Sequence, residues 1–342
     1  MSSAANVLSD GSNTSDVAPP ALCIRGLHTG FRARGLTVPA VRGVDLDLHA
    51  GEVTVLLGES GSGKSVTAKS VLRLYGPSAT ISGEVELEGS NLLDLDGPQM
   101  RAIRGASVAL VPQDPTGSLD PLRRIGSQII EVLRQHRIAP TRSAARSRAL
   151  ELLAEVGIPD PDRVARSFPH ELSGGMRQRA VIAIAVACRP QVLIADEPTT
   201  ALDVTVQAQI LDLFRTLVRE LDVALLLVTH DVGVAEEMGD RIGVMYAGKI
   251  VEYGAAAEVL RTPMHPYTRA LLESIPRPGV SRGGLLSIVG QPPISGELPP
   301  GCPFAPRCSS ALDRCHEEEP QLVALGATRS ASCHLSASEV SR

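Results

Sequence analysis

The stretch Gly58-Glu59-Ser60-Gly61-Ser62-Gly63-Lys64-Ser65 matches the pattern G-x4-G-K-[ST] and decides which kind of fold the chain can adopt. It follows the apolar run Val53–Leu57, a strand pattern, and precedes the helix-compatible stretch Ser65–Leu74. In that setting the glycines let backbone N–H groups curl around phosphate oxygens, and the helix N-terminus adds its positive dipole end. The sequence therefore predicts a nucleoside triphosphate site, in which Lys64 reaches the β- and γ-phosphates and the Ser65 hydroxyl coordinates Mg²⁺. The predicted nucleotide-binding residues of this loop are Gly58, Ser60, Gly61, Ser62, Gly63, Lys64, Ser65 and Val66.

A second apolar run, Val192–Ala195, ends in the acidic pair Asp196-Glu197. A strand that ends in a carboxylate places Asp196 at the carboxyl edge of the sheet, where it can bind nucleotide and hold the magnesium shell. The adjacent Glu197 can orient the attacking water and deprotonate it as a general base. An Asp-Glu pair after a strand is usually a solvated strand end, but together with the phosphate loop it indicates a hydrolytic site.

Length and composition narrow the function classes. The 342 residues suggest about two domains, and a net charge of −5 argues against a dedicated nucleic-acid binder. With 4 Phe, 4 Tyr and no Trp, stacking platforms for single strands are hard to build. No apolar run approaches the roughly 20 residues of a membrane span. Residues 1–20 are polar, without the features of a secretory signal, and we expect them to form a disordered tail.

Short apolar runs alternate with helical patterns along the rest of the chain. Val41–Leu48 alternates as a half-buried strand does, and in Arg142–Val156 the apolar residues recur at helical spacing. Buried strands that alternate with helices predict an α/β fold, with a mostly parallel sheet and helices on both faces. The further strand candidates are Gly83–Leu87, Val108–Pro112 and Leu225–Val228.

The segment Glu171–Arg179 reads Glu-Leu-Ser-Gly-Gly-Met-Arg-Gln-Arg and resembles the ABC ATPase signature Leu-Ser-Gly-Gly-Gln, with Met176 in place of Gln. Ser173 can cap a helix, and the two glycines leave backbone N–H groups bare for an anion. The resemblance implies that this loop faces the γ-phosphate held by a second subunit, so that two chains sandwich two nucleotides. Ser173, Gly174 and Gly175 would then contact the ATP of the partner subunit.

The resemblance also implies a fold and further site residues. The expected fold is a P-loop ABC ATPase core over residues 21–262, with an antiparallel β subdomain and a helical subdomain at about 114–170. Gln113 is similar to the Q-loop glutamine, a magnesium and water ligand. Asp203 is similar to the D-loop aspartate, which crosses the dimer interface, and His230 to the switch histidine that hydrogen-bonds the γ-phosphate. Phe31 is the candidate for the aromatic side chain that stacks on adenine.

Three segments are similar to a particular branch of the family. Glu197–Gln207 and Thr262–Thr268 resemble the peptide/nickel importer ATPases, and Pro299–Cys308 resembles the oligopeptide/dipeptide branch. The resemblance implies an ATPase subunit, peripheral on the cytoplasmic face of the inner membrane. Its implied partners are a second, different ATPase subunit, two membrane permeases and an extracytoplasmic peptide-binding protein. The alternatives are an importer of nickel or another small solute and, less favoured, a DNA-acting ABC ATPase; a non-catalytic subunit would need a broken phosphate site.

The last residues carry a different chemistry. Residues 263–342 form the expected C-terminal extension, a separate module in which Cys302, Cys308, Cys315 and Cys333 are spaced C-x5-C-x6-C-x17-C. Four thiolates suit a [4Fe–4S] cluster or tetrahedral zinc, and the wide spacing favours the cluster; free thiols are the third reading. His316 and His334 are possible substitute ligands. Cys23 and Cys188 lie in apolar surroundings and are expected to be packing residues.

Overall fold

The computed structural model describes residues 19–33, 35–200, 202–274, 288–294, 296–326 and 328–335. The predicted tail, residues 1–20, lies outside the described residues except for its last two positions. The sequence also predicts a Gly/Pro/Ser-rich linker at residues 277–300, and residues 277–287 and 295 of it lie outside the described residues.

An eight-stranded mixed sheet forms the centre of the fold, with the strand order β11-β12-β10-β9-β3-β8-β7-β6. Strands β6, β7, β8, β3 and β9 run parallel, and β10 turns back antiparallel to β9. Every residue of β3 and β7 is buried, because helices cover both faces of this part of the sheet. The strands are β3 (Val53–Leu57), β6 (Val108–Val111), β7 (Val192–Asp196), β8 (Ala224–Thr229), β9 (Arg241–Tyr246), β10 (Lys249–Ala255), β11 (Val323–Ala324) and β12 (Ser330–Ala331).

A smaller antiparallel sheet, of order β2-β1-β4-β5, packs over one side of the central sheet. The alternation seen in the sequence of Val41–Leu48 is confirmed, since Val41, Val44, Leu46 and Leu48 are buried in a core shared with the first helix. Its strands are β1 (Leu22–Ala33), β2 (Leu36–Leu48), β4 (Ala79–Leu87) and β5 (Ser90–Asn91).

Helices fill both sides of the central sheet and build the predicted helical insert between β6 and β7. Helix α5 carries the predicted period, with Ala149, Leu152 and Leu153 buried and Thr141 capping its first turn. The helices are α1 (Lys64–Val71), α2 (Gly97–Ile103), α3 (Pro115–Ser118), α4 (Ile125–Gln135), α5 (Arg142–Glu155), α6 (Pro161–Arg166), α7 (Gly174–Ala185), α8 (Val204–Leu221), α9 (Val232–Met238), α10 (Ala256–Arg261), α11 (Pro266–Glu273) and α12 (Arg314–Glu317).

The C-terminal extension is joined to the core, whereas a separate module was expected. Strand β12 pairs with β10, so the extension continues the central sheet. Tyr267 of α11 and Phe304 are buried in the main hydrophobic core. A segment this short buries too little apolar surface to fold alone, so it borrows the core of the larger domain. Within the described residues, every helix is too short or too polar to cross a bilayer.

Candidate nucleotide site

The phosphate loop lies between the carboxyl end of β3 and the first turn of α1, as the sequence predicts. Gly63 caps the helix with φ of 107°, a conformation that favours glycine. A Cβ at this position would lie 2.6 Å from the carbonyl oxygen of Ala40, and one at Gly58 would clash with the carbonyl of Met245. The loop can therefore approach β2 and β9 closely only because these two positions lack side chains.

Lys64 is buried within this loop, with its side chain turned back along it. Its Nζ donates hydrogen bonds to the carbonyl oxygens of Gly58, at 2.8 Å, and Glu59, at 2.9 Å. Burial lowers the pKa of Lys64, and the carboxylates of Glu197, Asp196 and Glu59 oppose that shift. Because an ammonium has three donors, one remains to be offered to a phosphate oxygen.

Ser65 and Asp196 meet where α1 begins and β7 ends. The Ser65 hydroxyl donates to Asp196 Oδ1 at 2.6 Å. Asp196 is fully buried, and its Oδ2 has no hydrogen-bond donor, although Lys69 Nζ lies 3.2 Å away as an ion-pair partner. A buried carboxylate oxygen that lacks a hydrogen bond, next to a serine hydroxyl, is a donor set that fits Mg²⁺.

The other two predicted catalytic side chains, Gln113 and His230, lie next to one carboxylate oxygen of Glu197. Its Oε2 accepts hydrogen bonds from Gln113 Nε2 and Thr200 Oγ1, each at 3.1 Å, and lies 3.2 Å from His230 Nδ1. The Glu197 side chain is 12% exposed and that of His230 54%, so the carboxylate is the more desolvated of the two. Glu197 also has φ of 48°, an uncommon value for a residue with a side chain, and such backbone strain concentrates at functional sites.

Nine of the predicted site residues line a single cavity of about 550 Å³. The structure thus brings together most of the predicted nucleotide and catalytic residues, which lie far apart in the sequence. The predicted residues that line the cavity are Ser60, Gly61, Gly63, Lys64, Ser65, Val66, Gln113, Glu197 and His230.

The predicted signature loop lies elsewhere on the subunit. The Ser173 hydroxyl accepts a hydrogen bond from the Met176 N–H at 3.3 Å and caps α7, as expected. Gly175 packs so closely against α8 that a Cβ would lie 2.7 Å from Val206 Cγ1. Asp203 caps α8 through the Val206 N–H at 3.0 Å. Ser173, Gly174, Gly175 and Asp203 do not line the phosphate cavity of their own chain, and their contact with a partner's ATP stays a prediction.

Phe31 is placed on β1, with its ring edge-on against Tyr75 at a centroid distance of 4.9 Å. Burial raises the pKa of Tyr75 to about 12, and the Asp196 carboxylate adds to that shift. Phe31 is not among the residues that line the phosphate cavity, and its stacking on adenine stays a prediction.

Sequence reasoning missed several residues that touch the phosphate loop. The hydroxyl of Tyr267 accepts a hydrogen bond from the Glu59 N–H at 2.8 Å, and Arg307 forms an ion pair with the Glu59 side chain. Leu271, also from the extension, lines the cavity. Tyr267 and Arg307 lie in the segments Thr262–Thr268 and Pro299–Cys308 that resemble the importer branch, but neither segment indicates a contact with the phosphate loop.

The four cysteines of the predicted metal centre come together at one place in the fold. Cys302, Cys308, Cys315 and Cys333 line one small cavity, together with His265 and His334. In the part of the chain that the structure describes, however, no three His, Cys, Asp or Glu side chains are arranged to hold a metal ion. Burial raises the pKa of Cys302 to about 11. The four sulfur donors face one cavity, and metal binding by them stays a prediction.

Cys23 and Cys188 lie outside this cavity, whereas His265 and His334 line it. Cys188 is partly buried, and burial raises its pKa to about 11, in keeping with a packing role; Cys23 is partly buried as well. His334 Nε2 lies 3.0 Å from the carbonyl oxygen of Glu318, which occupies one of its ring nitrogens. His265 is fully buried, and burial lowers its pKa to about 4, so the ring is neutral.

Two family descriptions match the sequence. Residues 41–200 match "ABC transporter", and residues 251–315 match "Oligopeptide/dipeptide transporter, C-terminal region". The first match spans the phosphate loop and the Asp196-Glu197 pair, and the second covers most of β10 and three of the four clustered cysteines.

Similar proteins and structures carry related names. The dipeptide transport ATP-binding protein DppD of Bacillus subtilis is 45% identical over 92% of this chain and 94% of its own length. A putative peptide import ATP-binding protein of Brucella melitensis, BMEII0863, is 49% identical over 92% of this chain and 96% of its own. The dimeric structure of the ATP-binding cassette MJ0796 in a post-hydrolysis state, bound to ADP and Pi, superposes with a TM-score of 0.61 at 30% identity. The superposition covers 69% of this chain and 98% of the cassette.

Proposed function

This chain belongs to the ABC transporter family and, within it, to the oligopeptide/dipeptide transporter branch, and on that basis we propose that it is the ATP-hydrolysing subunit of a peptide importer. The observation that carries the proposal is the single cavity in which Lys64, Gln113, Glu197 and His230 converge beside the buried Asp196. Such a group of residues supplies what phosphoryl transfer to water requires: a cation for the phosphates, a carboxylate base and polar groups that orient the water.

Each side chain of this cavity has a task that its geometry supports. Lys64 offers its third N–H to a phosphate oxygen while its other two stay on the loop. Glu197 can accept a proton from water at Oε2, where Gln113 and His230 already lie within hydrogen-bonding distance. Ser65 and Asp196 would hold Mg²⁺, which when bound neutralises charge on the phosphates.

The active assembly needs a second ATPase subunit. Ser173, Gly174, Gly175 and Asp203 do not line their own chain's cavity, so these capped, glycine-bearing turns are available for the nucleotide of a partner. The MJ0796 cassette is dimeric, which fits this arrangement. We propose a partner of different sequence, two membrane permeases and an external peptide-binding protein, with this subunit peripheral on the cytoplasmic face of the inner membrane. ATP-driven closure of the two ATPase subunits would then switch the permeases.

Two other functions are alternatives to peptide import. Import of nickel or another small solute would use the same ATP site, because the cargo is selected elsewhere in such an assembly. Action on DNA is disfavoured by the net charge of −5, since nonspecific DNA binding depends on cationic contacts with phosphates.

A cell that lacks this chain is expected to lose uptake of labelled di- and oligopeptides. The wild-type chain should restore uptake and the Glu197→Gln variant should not, because transport depends on hydrolysis. Radiolabelled peptide and ⁶³Ni²⁺ uptake are measured side by side. Loss of nickel uptake alone would favour the solute alternative, and unchanged uptake of both would contradict an importer function.

We also infer that the cavity lined by Cys302, Cys308, Cys315 and Cys333 holds a [4Fe–4S] cluster, with zinc as the alternative. The support is that four sulfur-bearing side chains, widely spaced in the sequence, face one cavity. Four thiolates are the usual ligand set of such a cluster.

Protein purified without oxygen is expected to absorb near about 400 nm, where thiolate-bound iron–sulfur clusters have charge-transfer bands, and to contain iron and sulfide in equal amounts. Cys315→Ser should remove colour and iron, because it deletes a buried member of the set, and Cys188→Ser is the matched control outside it. A colourless protein with one zinc would favour the alternative. Protein without any metal would contradict both and leave free thiols.

A further inference from the structure

An ion pair connects the phosphate loop to the Cys-rich extension. Arg307 donates from its two terminal nitrogens to the two carboxylate oxygens of Glu59, at 2.7 and 3.0 Å. Glu59 is the first variable residue of the phosphate loop, and Arg307 directly precedes Cys308. This two-point geometry fixes both the distance and the orientation of the carboxylate, which a single contact would not do.

Contacts other than the pair with Glu59 also restrain the Arg307 side chain. The Arg307 side chain is only 5% exposed, and its Nε donates to the carbonyl oxygen of Val289 at 3.1 Å. Its guanidinium also lies 3.3 Å from the Tyr246 hydroxyl and 5.9 Å from the ring centroids of Tyr246 and Phe304. A side chain confined in this way loses little further conformational freedom when it pairs, so the contact with Glu59 is preorganised.

The backbone of Glu59 is tied to the extension and to Lys64. Its N–H donates to the Tyr267 hydroxyl at 2.8 Å, and its carbonyl accepts from Lys64 Nζ at 2.9 Å. The position of Glu59 therefore sets part of the direction in which the Lys64 ammonium points. Arg307 is therefore connected to Lys64 through Glu59.

We propose that Arg307 is a positioning residue for nucleotide binding: it holds Glu59, and through Glu59 the Lys64 ammonium, in the geometry that receives the phosphates. The proposal rests on the nucleotide-binding function proposed above. The Cys-rich extension thereby helps to set the geometry of the ATP site, in addition to stabilising the edge of the sheet.

The positive charge of Arg307 supports nucleotide affinity in a second way. Glu59 lines the phosphate cavity, and an unpaired carboxylate there would repel the negative charges of ATP. The guanidinium cancels this charge at contact distance. Loss of Arg307 would thus both loosen the loop and leave a repulsive charge beside the phosphates.

The Arg307→Met variant is expected to bind nucleotide about tenfold more weakly, the size of one lost charge-assisted contact. Binding is measured by calorimetric titration with adenylyl imidodiphosphate and Mg²⁺ on the full chain. Arg329→Met is the matched control, because Arg329 also ties the extension to the sheet, through Glu252 at 2.8 Å, with its side chain 13% exposed. The control should lower the melting temperature similarly but keep affinity within twofold. In the assembled ATPase, Arg307→Met should raise KM with little change in kcat.

The dependence on Glu59 is tested by repeating the substitution in a Glu59→Gln background. There, Arg307→Met is expected to change affinity by less than threefold, because the charged pair is already gone. A tenfold loss in both backgrounds would overturn the proposal, as would wild-type affinity of Arg307→Met or equal weakening by Arg329→Met. Should Arg307→Met not fold, Arg307→Lys replaces it: about threefold weaker binding supports the role of the two-point contact, and wild-type affinity overturns it.

The Lys64→Met variant separates this proposal from the nucleotide function. If wild type binds the analogue and Lys64→Met does not, the phosphate site is established independently, and the Arg307 result bears only on positioning. If Lys64→Met binds as wild type does, the nucleotide site itself is wrongly assigned, and the proposal is overturned with it.

Discussion

Glu197→Gln is expected to lower ATP hydrolysis by about 10²–10⁴-fold, the usual contribution of a general base, while ATP remains bound. The substitution keeps the size of the side chain and an oxygen for the hydrogen bonds from Gln113 and Thr200. It removes the only group of this cluster that can take a proton from water as a carboxylate. Hydrolysis is measured as phosphate release by the assembled ATPase, and bound nucleotide by filter retention of labelled ATP.

The exposed Glu220 on α8 offers the matched control, because Glu220→Gln makes the same chemical change far from the cavity. Its turnover should equal that of the wild type. Undiminished turnover in Glu197→Gln would mean that another group accepts the proton. Loss of bound ATP in this variant would mean that Glu197 supports the site structurally and would contradict the role of a base.

Lys64→Met is expected to weaken ATP binding by about 100-fold, since a hydrogen bond to a charged group contributes about 1.5–3 kcal/mol. The carbonyl oxygens of Gly58 and Glu59 lose their donor as well. Burial already disfavours the charged ammonium, so replacing it by an apolar side chain limits the cost to folding. Affinity is measured by titration with a fluorescent ATP analogue.

Lys249→Met serves as the control for the loss of a lysine. Lys249 pairs with Glu319 at 2.8 Å and does not line the phosphate cavity. It should bind the analogue as the wild type does. If Lys64→Met also kept wild-type affinity, Lys64 would not bind the phosphates, and the nucleotide site would be wrongly assigned.

The parts of the site that the sequence predicts are those encoded in contiguous residues. The glycines of the phosphate loop and the Asp196-Glu197 pair follow buried strands directly, and parallel strands end at a shared edge of the sheet. Backbone requirements near a phosphate restrict the residue types at each position, and this restriction can be read without knowledge of the fold. Gln113 and His230 were placed by resemblance, and the structure brings both next to Glu197.

The connection of the extension to the site was not predictable in this way. Arg307 lies 248 residues from Glu59, and Tyr267 lies 208 residues from it. The cysteine spacing suggested a module held together by its own metal, whereas Phe304 and Tyr267 pack in the main core and β12 pairs with β10. Phe31 packs edge-on against Tyr75, and its stacking on adenine stays a prediction.

The sequence by itself determined which chemical groups this protein carries: a phosphate-loop motif, the adjacent carboxylates Asp196 and Glu197, and four clustered cysteines. Only the tertiary structure decided how the extension joins the sheet and that Arg307 and Tyr267 hold the phosphate loop. The physical reason is that a motif's chemistry depends on backbone conformation and donor types within a few residues. Which distant side chains meet depends on how complete surfaces pack, and no short stretch of either partner carries that information.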